Sequence, residues 1–102
     1  MNVIITYKHM DSSEGIKNII TEKSQKFEKY FDKELTAKWT CWVDSDGHHS
    51  EVELTGHGGA PLFASAKSDN LYKTIDDVVQ KISRQARKKL TREHNQIIHA
   101  NI

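Results

Sequence analysis

The chain carries one cysteine, one proline and five glycines in 102 residues, and its net charge is only +1. A single cysteine, Cys41, excludes an internal disulfide. Sitting inside an apolar run, it reads as a core residue in a reducing compartment. Pro61 is the lone proline, which excludes a proline-rich linker or recognition tract. No apolar run approaches the roughly 18–20 residues that a membrane span needs. The opening stretch, MNVIITYKHM, lacks the apolar core and small-residue cleavage site of a secretory signal, so a cytoplasmic location is expected. Gly-rich phosphate loops ending in Lys-Ser/Thr and G-x-S-x-G elbows are missing too. Nothing in the sequence predicts an enzyme, a cofactor or a metal site.

What is present suits one globular domain, expected over residues 1–92 with a flexible tail at 93–102. Hydrophobic residues make up 36% and charged residues 28%, enough for a thin core under a polar surface. The small net charge hides an asymmetry. Residues 1–68 hold eight Lys/Arg and ten Asp/Glu, a net of −2. Residues 69–92 hold seven Lys/Arg and three Asp/Glu, a net of +4. Within them, residues 81–92 have six bases and no acid, the footprint of a phosphate-binding element.

Periodicity predicts the order β-α-β-β-β-α. A strand over 2–8 alternates Val3, Ile5 and Tyr7 with Ile4, Thr6 and Lys8. Ser13 is the expected N-cap of a first helix over 14–31, with Glu14 in its first turn. Ile16, Ile19, Ile20, Phe27, Tyr30 and Phe31 share one face, and Lys23 falls at that face's edge. A second strand over 35–44 buries Leu35, Ala37, Trp39, Cys41 and Val43. Trp42 points the other way, toward an open sheet face near Phe63 and Ile4. Asp46-Gly47 signals a hairpin into a strand over 49–56. Gly56-His57-Gly58-Gly59 reads as a flexible reversal into a strand over 62–67. The last helix starts after Ser68 or Asp69 and runs to about residue 92. Leu71, Ile75, Val78, Val79, Ile82 and Ala86 form its apolar stripe. The expected fold class is α+β: a mostly antiparallel four-stranded sheet with both helices on one face.

At 100° per residue, Lys73, Lys81, Arg84 and Lys88 cluster opposite that stripe, flanked by Arg87 and Arg92. Lys89 lies near the end where the core runs out. Lys17, Lys26 and Lys29 add cations from the first helix. Asp77 can pair with Lys81, but Arg84, Arg87, Lys88 and Arg92 have no acid three or four residues before them. Like charges at i,i+4, as in Arg84–Lys88–Arg92, cost helix stability. A fold that tolerates this arrangement is expected to recover the cost by binding a polyanion, and folded RNA suits a rigid cationic ridge. Cys41, His48, His49 and His57 lack the compact spacing of zinc ligands.

Two segments carry a family resemblance. Ser68-Asp69-Asn70-Leu71-Tyr72-Lys73-Thr74-Ile75-Asp76, followed by Lys81-Ile82-Ser83-Arg84-Gln85-Ala86-Arg87-Lys88, is the more specific. Lys23-Ser24-Gln25-Lys26-Phe27-Glu28-Lys29-Tyr30-Phe31 is the second. Both resemble the ribosome hibernation-promoting factor family, which includes the ribosome-associated inhibitor called protein Y. His49-Ser50-Glu51-Val52-Glu53-Leu54 is similar to its third strand. The resemblance implies the same β-α-β-β-β-α fold, like that of double-stranded RNA-binding domains. It implies binding to the small ribosomal subunit and its rRNA in the decoding channel, across the paths of messenger RNA and the A- and P-site tRNAs. Translation inhibition in stationary phase or under stress follows from that position. It also implies rRNA contact by Lys23, Lys26, Lys29, Lys81, Arg84, Gln85, Arg87, Lys88 and Arg92, to which the helix pattern adds Lys89. Tyr72 and Asp76 match the signature. Asn70-Leu71 departs from the family's acidic-Met pair. The chain lacks the dimerisation domain of the long forms, so it resembles a short form, monomeric when free. Such a form either works with a separate ribosome modulation factor or holds single ribosomes. The alternatives are a general double-stranded RNA-binding module and a protein-interaction domain.

Overall fold

A computed structural model of the chain describes the backbone of residues 1–100 and the side chains of residues 1–91. Strand β1 (Asn2–Lys8) leads through helix α1 (Glu14–Ser24) to β2 (Thr36–Asp44). Strands β3 (Gly47–Thr55) and β4 (Leu62–Ser68) follow, and helix α2 (Leu71–Ala100) closes the order. The sheet order is β1-β2-β3-β4. The α1 crossover makes β1 and β2 parallel, while β2–β3 and β3–β4 are antiparallel hairpins. The expected fold is observed, with one parallel pair in a mixed sheet.

Alternation decides what the sheet buries. Ala37, Trp39 and Cys41 of β2, Val52 and Leu54 of β3, and Ala64 of β4 face the helices. Ile16 and Ile20 of α1 and Leu71, Ile75, Val78, Val79 and Ile82 of α2 meet them in one core. Two polar bonds cross that core. The Trp39 indole N–H donates to the Ser24 hydroxyl at 2.9 Å, and the Ser50 hydroxyl donates to Thr74 Oγ1 at 2.8 Å. Thr74 in turn donates to the Leu71 carbonyl, so both buried hydroxyls are satisfied.

Several expectations shift. The first helix is α-helical only to Ser24 and continues as a 3-10 turn over Gln25–Lys29. Gln25 N–H bonds the Glu22 carbonyl three residues back, and Tyr30 N–H bonds that of Phe27 in the same way. The tighter winding keeps Phe27 wholly buried while Tyr30 swings out toward α2. Ser13 caps α1 as expected, its hydroxyl accepting from Ile16 N–H. Helix α2 starts one or two residues later than expected, because the Asn70 side chain accepts from Tyr72 N–H at 2.9 Å and makes Asn70 the cap. It also runs past residue 92 to Ala100. The expectation of a flexible tail concerns residues whose side chains (92–100), or whose whole structure (101–102), lie outside the described residues.

The β2–β3 turn is Ser45-Asp46, and Gly47 already pairs with Asp44. Gly47 has a φ of +130°, and a Cβ there would stand 2.8 Å from the Ser68 carbonyl. The glycine-rich β3–β4 loop is anchored by His57, which is 6% exposed and stacks on Phe31 at 4.8 Å.

Burial of Cys41 pushes its thiol from 9.0 up to about 11. Folded protein at pH 8 should therefore resist thiol-modifying reagents, and label only at the rate of global opening, as read by mass spectrometry. The linkage has a definite sign. The unfolded thiol ionises first, so this group's share of stability is full below pH 9.0 and drains as pH rises toward about 11.

Candidate nucleic-acid interface

The polar sides of α1, the 3-10 turn and α2 form one cationic surface. Arg84, Arg87 and Lys88 project from α2, and all three are exposed. Arg84 and Lys88 make no ion pair among the described residues. Lys26 and Lys29 are exposed on the 3-10 turn. Lys26, Tyr30, Gln80, Ser83, Arg84 and Arg87 line a shallow groove between the two helices. Its floor is organised by the Tyr30 hydroxyl, which receives a bond from Arg87 Nη1 at 3.4 Å. The Ser83 hydroxyl, then the Arg87 guanidinium, hold the Tyr30 phenol below its usual range against the opposing effect of partial burial. Arg87 is thus pre-placed at the groove's edge.

Other residues expected at the interface are tied to the protein itself. Lys23 Nζ lies 2.7 Å from Asp76 Oδ1, joining α1 to α2. The hydrogen bond and charge of Asp76 raise the Lys23 pKa. Its position at the edge of the apolar face reflects this partner, and Asp76 in the signature acts as the helix-to-helix tie. Lys81 reaches over to the Ser65 carbonyl at 2.6 Å, not to Asp77, and Gln85 donates to the Phe63 carbonyl at 2.8 Å. These carbonyls lie on β4, an edge strand, so the two side chains cover an edge that would otherwise pair with another chain. Lys89 is half-buried and turns back toward the β3–β4 loop, its Nζ 2.7 Å from where a Cβ on Gly59 would stand. The side chain of Arg92 lies outside the described residues.

Sequence reasoning missed the Tyr30–Arg87 and Ser24–Trp39 bonds. Tyr30 looked like core because a helical wheel continued through residue 31. The available signal was the polar pair Ser24-Gln25, where the helix tightens. The candidate metal set is not assembled. Cys41 faces the core, His49 stands on the opposite face of the sheet, and His57 is packed on Phe31. Trp42 does lie on the open face, but not near Phe63 and Ile4. Those two share a cross-strand row with Lys38 and Glu53. That row is four residues along the strands from Trp42, about 13 Å. Among the described residues, no helix is long and apolar enough to cross a membrane.

The geometry defines a two-layer α/β domain with a cationic helix pair on one side and an open sheet on the other. Residues 3–94 match the family model described as Sigma 54 modulation protein / S30EA ribosomal protein, and the chain belongs to that family. Its relatives include the ribosome hibernation promoting factor of Escherichia coli K12. That protein is 31% identical over 88 residues, covering 86% of this chain and 92% of the relative. The factor of the same name from Pseudomonas putida KT2440 is 27% identical, covering 86% and 85%. The N-terminal domain of Thermus thermophilus protein Y has the same fold. Its TM-score is 0.80 at 21% identity, over 86% of this chain and 98% of that one. A ribosomal subunit interface protein from Coxiella burnetii superposes with a TM-score of 0.76 at 18% identity, covering 89% and 99%.

Proposed function

We propose that this protein is a ribosome hibernation factor, a binding protein and not an enzyme, that occupies the decoding channel of the small subunit in the cytoplasm. The observation that carries the reading is the exposed surface of Arg84, Arg87 and Lys88 on a rigid helix, with Lys26 and Lys29 beside it. rRNA phosphates neutralise this surface, and the domain's bulk excludes messenger RNA and A- and P-site tRNA, which inhibits translation under stress or in stationary phase. Within the expected contact set, Arg84, Arg87, Lys88, Lys26 and Lys29 touch RNA directly. Lys23, Lys81 and Gln85 set the spacing of helices and sheet, and Lys89 holds the β3–β4 loop against the end of the cationic ridge. A free monomer is the binding species. Pairing of ribosomes would need a separate modulation factor.

The test is co-sedimentation with purified ribosomal subunits over a salt series. Binding should follow the small subunit and fall steeply between about 50 and 200 mM salt, as expected when several phosphates are neutralised. Equal affinity for free duplex RNA would point instead to a general RNA-binding module. Salt-insensitive binding would remove the cationic surface from the mechanism.

A further inference from the structure

The open face of the sheet carries an arrangement that the cationic helices do not explain. Trp42 of β2 and His49 of β3 are register partners on the two central strands. Their rings stack with centroids 4.9 Å apart and planes 2° from parallel. The same cross-strand row ends in Lys8 on β1 and Lys67 on β4. The row therefore reads cation, aromatic, aromatic, cation across about 14 Å of sheet. His49 is held in place by Asp44, whose Oδ1 lies 2.9 Å from its Nε2. One face of Trp42 is covered by His49. Trp42 also borders a concavity shared with Lys8, His9, Asp44 and Glu51, and Lys8 is its neighbour on the side away from His49.

We infer that this concavity is a second RNA contact, which takes a single unpaired nucleotide whose base extends the His49–Trp42 stack. The physical parts match the ligand. An indole face accepts any base, since every base has a π surface. Lys8 in the lining attracts a phosphate next to that base, and Lys67, beyond His49, adds a cation at the far end of the row. The Asp44 and Glu51 carboxylates are acceptors suited to an exocyclic amine, which favours adenine and cytosine over uracil. The layer geometry is the one that four-stranded RNA-binding sheets use, with helices behind and aromatics on the central strands. An arginine of a protein partner also suits an indole beside carboxylates. Lys8 in the lining and Lys67 at the far end of the row favour the nucleotide, whose phosphates they can meet, and the test separates the two.

The contact is independent of the helix surface, so the test removes that surface first. Chain carrying Arg84→Glu and Lys88→Glu is titrated into fluorescein-labelled single-stranded hexamers of A, C or U, with binding read as anisotropy. The A and C hexamers should bind saturably, with U about fivefold weaker or more. Adding Trp42→Ala should weaken the A hexamer about tenfold, the scale of one lost base stack. Lys8→Glu, which leaves the stack intact, should weaken it severalfold. Circular dichroism of each variant confirms the fold. No saturable binding, or binding indifferent to both substitutions, overturns the inference. So does tighter capture of a labelled arginine-rich peptide that Trp42→Ala abolishes, which would make the face a protein-docking site. Neither outcome touches the ribosome reading, whose test uses the intact helix surface.

Discussion

Reversing Arg84 and Lys88 together to glutamate should weaken small-subunit binding about a hundredfold, on the basis of roughly tenfold per lost phosphate contact. The slope of log affinity against log salt should fall by about two, since each lost phosphate contact removes about one. These positions are the sharpest test because both side chains are exposed and neither forms an ion pair among the described residues. No internal bond is broken by changing them. One like-charge i,i+4 pair is replaced by another of similar cost, so circular dichroism should be unchanged. Lys81 is the informative contrast. Its ammonium is occupied by the Ser65 carbonyl, so Lys81→Met should leave the salt slope close to that of the wild type. Equal losses at positions 81 and 84 would mean that net charge alone matters, not the ridge.

The largest effect on stability is expected at Trp39. The side chain is 1% exposed at the centre of the sheet, and its N–H is the partner of buried Ser24. Trp39→Ala should cost about 3–5 kcal/mol through the lost contacts and the cavity. It also strands the Ser24 hydroxyl, adding about 1 kcal/mol or more. A small domain has about 5–15 kcal/mol in total, so the variant should lose a large share of its stability and unfold at much lower urea. Urea denaturation followed by far-UV circular dichroism would read this directly. Trp39→Phe keeps most of the volume and loses the bond, so a clearly smaller drop in midpoint is expected. Trp42→Ala, on the open face, should shift the midpoint far less, because its ring is only partly buried. If the two tryptophans proved equivalent, the inside–outside reading of β2 would be wrong.

Much of this was legible along the chain. Alternation in β2 separated Trp39 from Trp42. Three- and four-residue steps in α2 separated Ile75, Val78 and Ile82 from Arg84 and Lys88. These are local signals, and one buried face is enough to set them. Three misreadings share a cause. The wheel that carried helix one through residue 31 assumed a constant pitch. The pairing of Lys81 with Asp77 assumed that a side chain bonds along its own helix. The placing of Trp42 near Ile4 and Phe63 assumed a register. Each depended on a neighbour far away in sequence: Trp39 for Ser24, Ser65 for Lys81, and Lys8 for Trp42.

The order of residues alone determined the β-α-β-β-β-α plan, the core and the acid-free cationic stretch, because backbone periodicity and charge are properties of short segments. Which cations remain available was decided only when the layers packed. An ammonium on a long stem bonds whatever acceptor the fold brings within reach, and folding brought Asp76 to Lys23 and the β4 carbonyls to Lys81 and Gln85, but no carboxylate to Arg84 or Lys88 among the described residues.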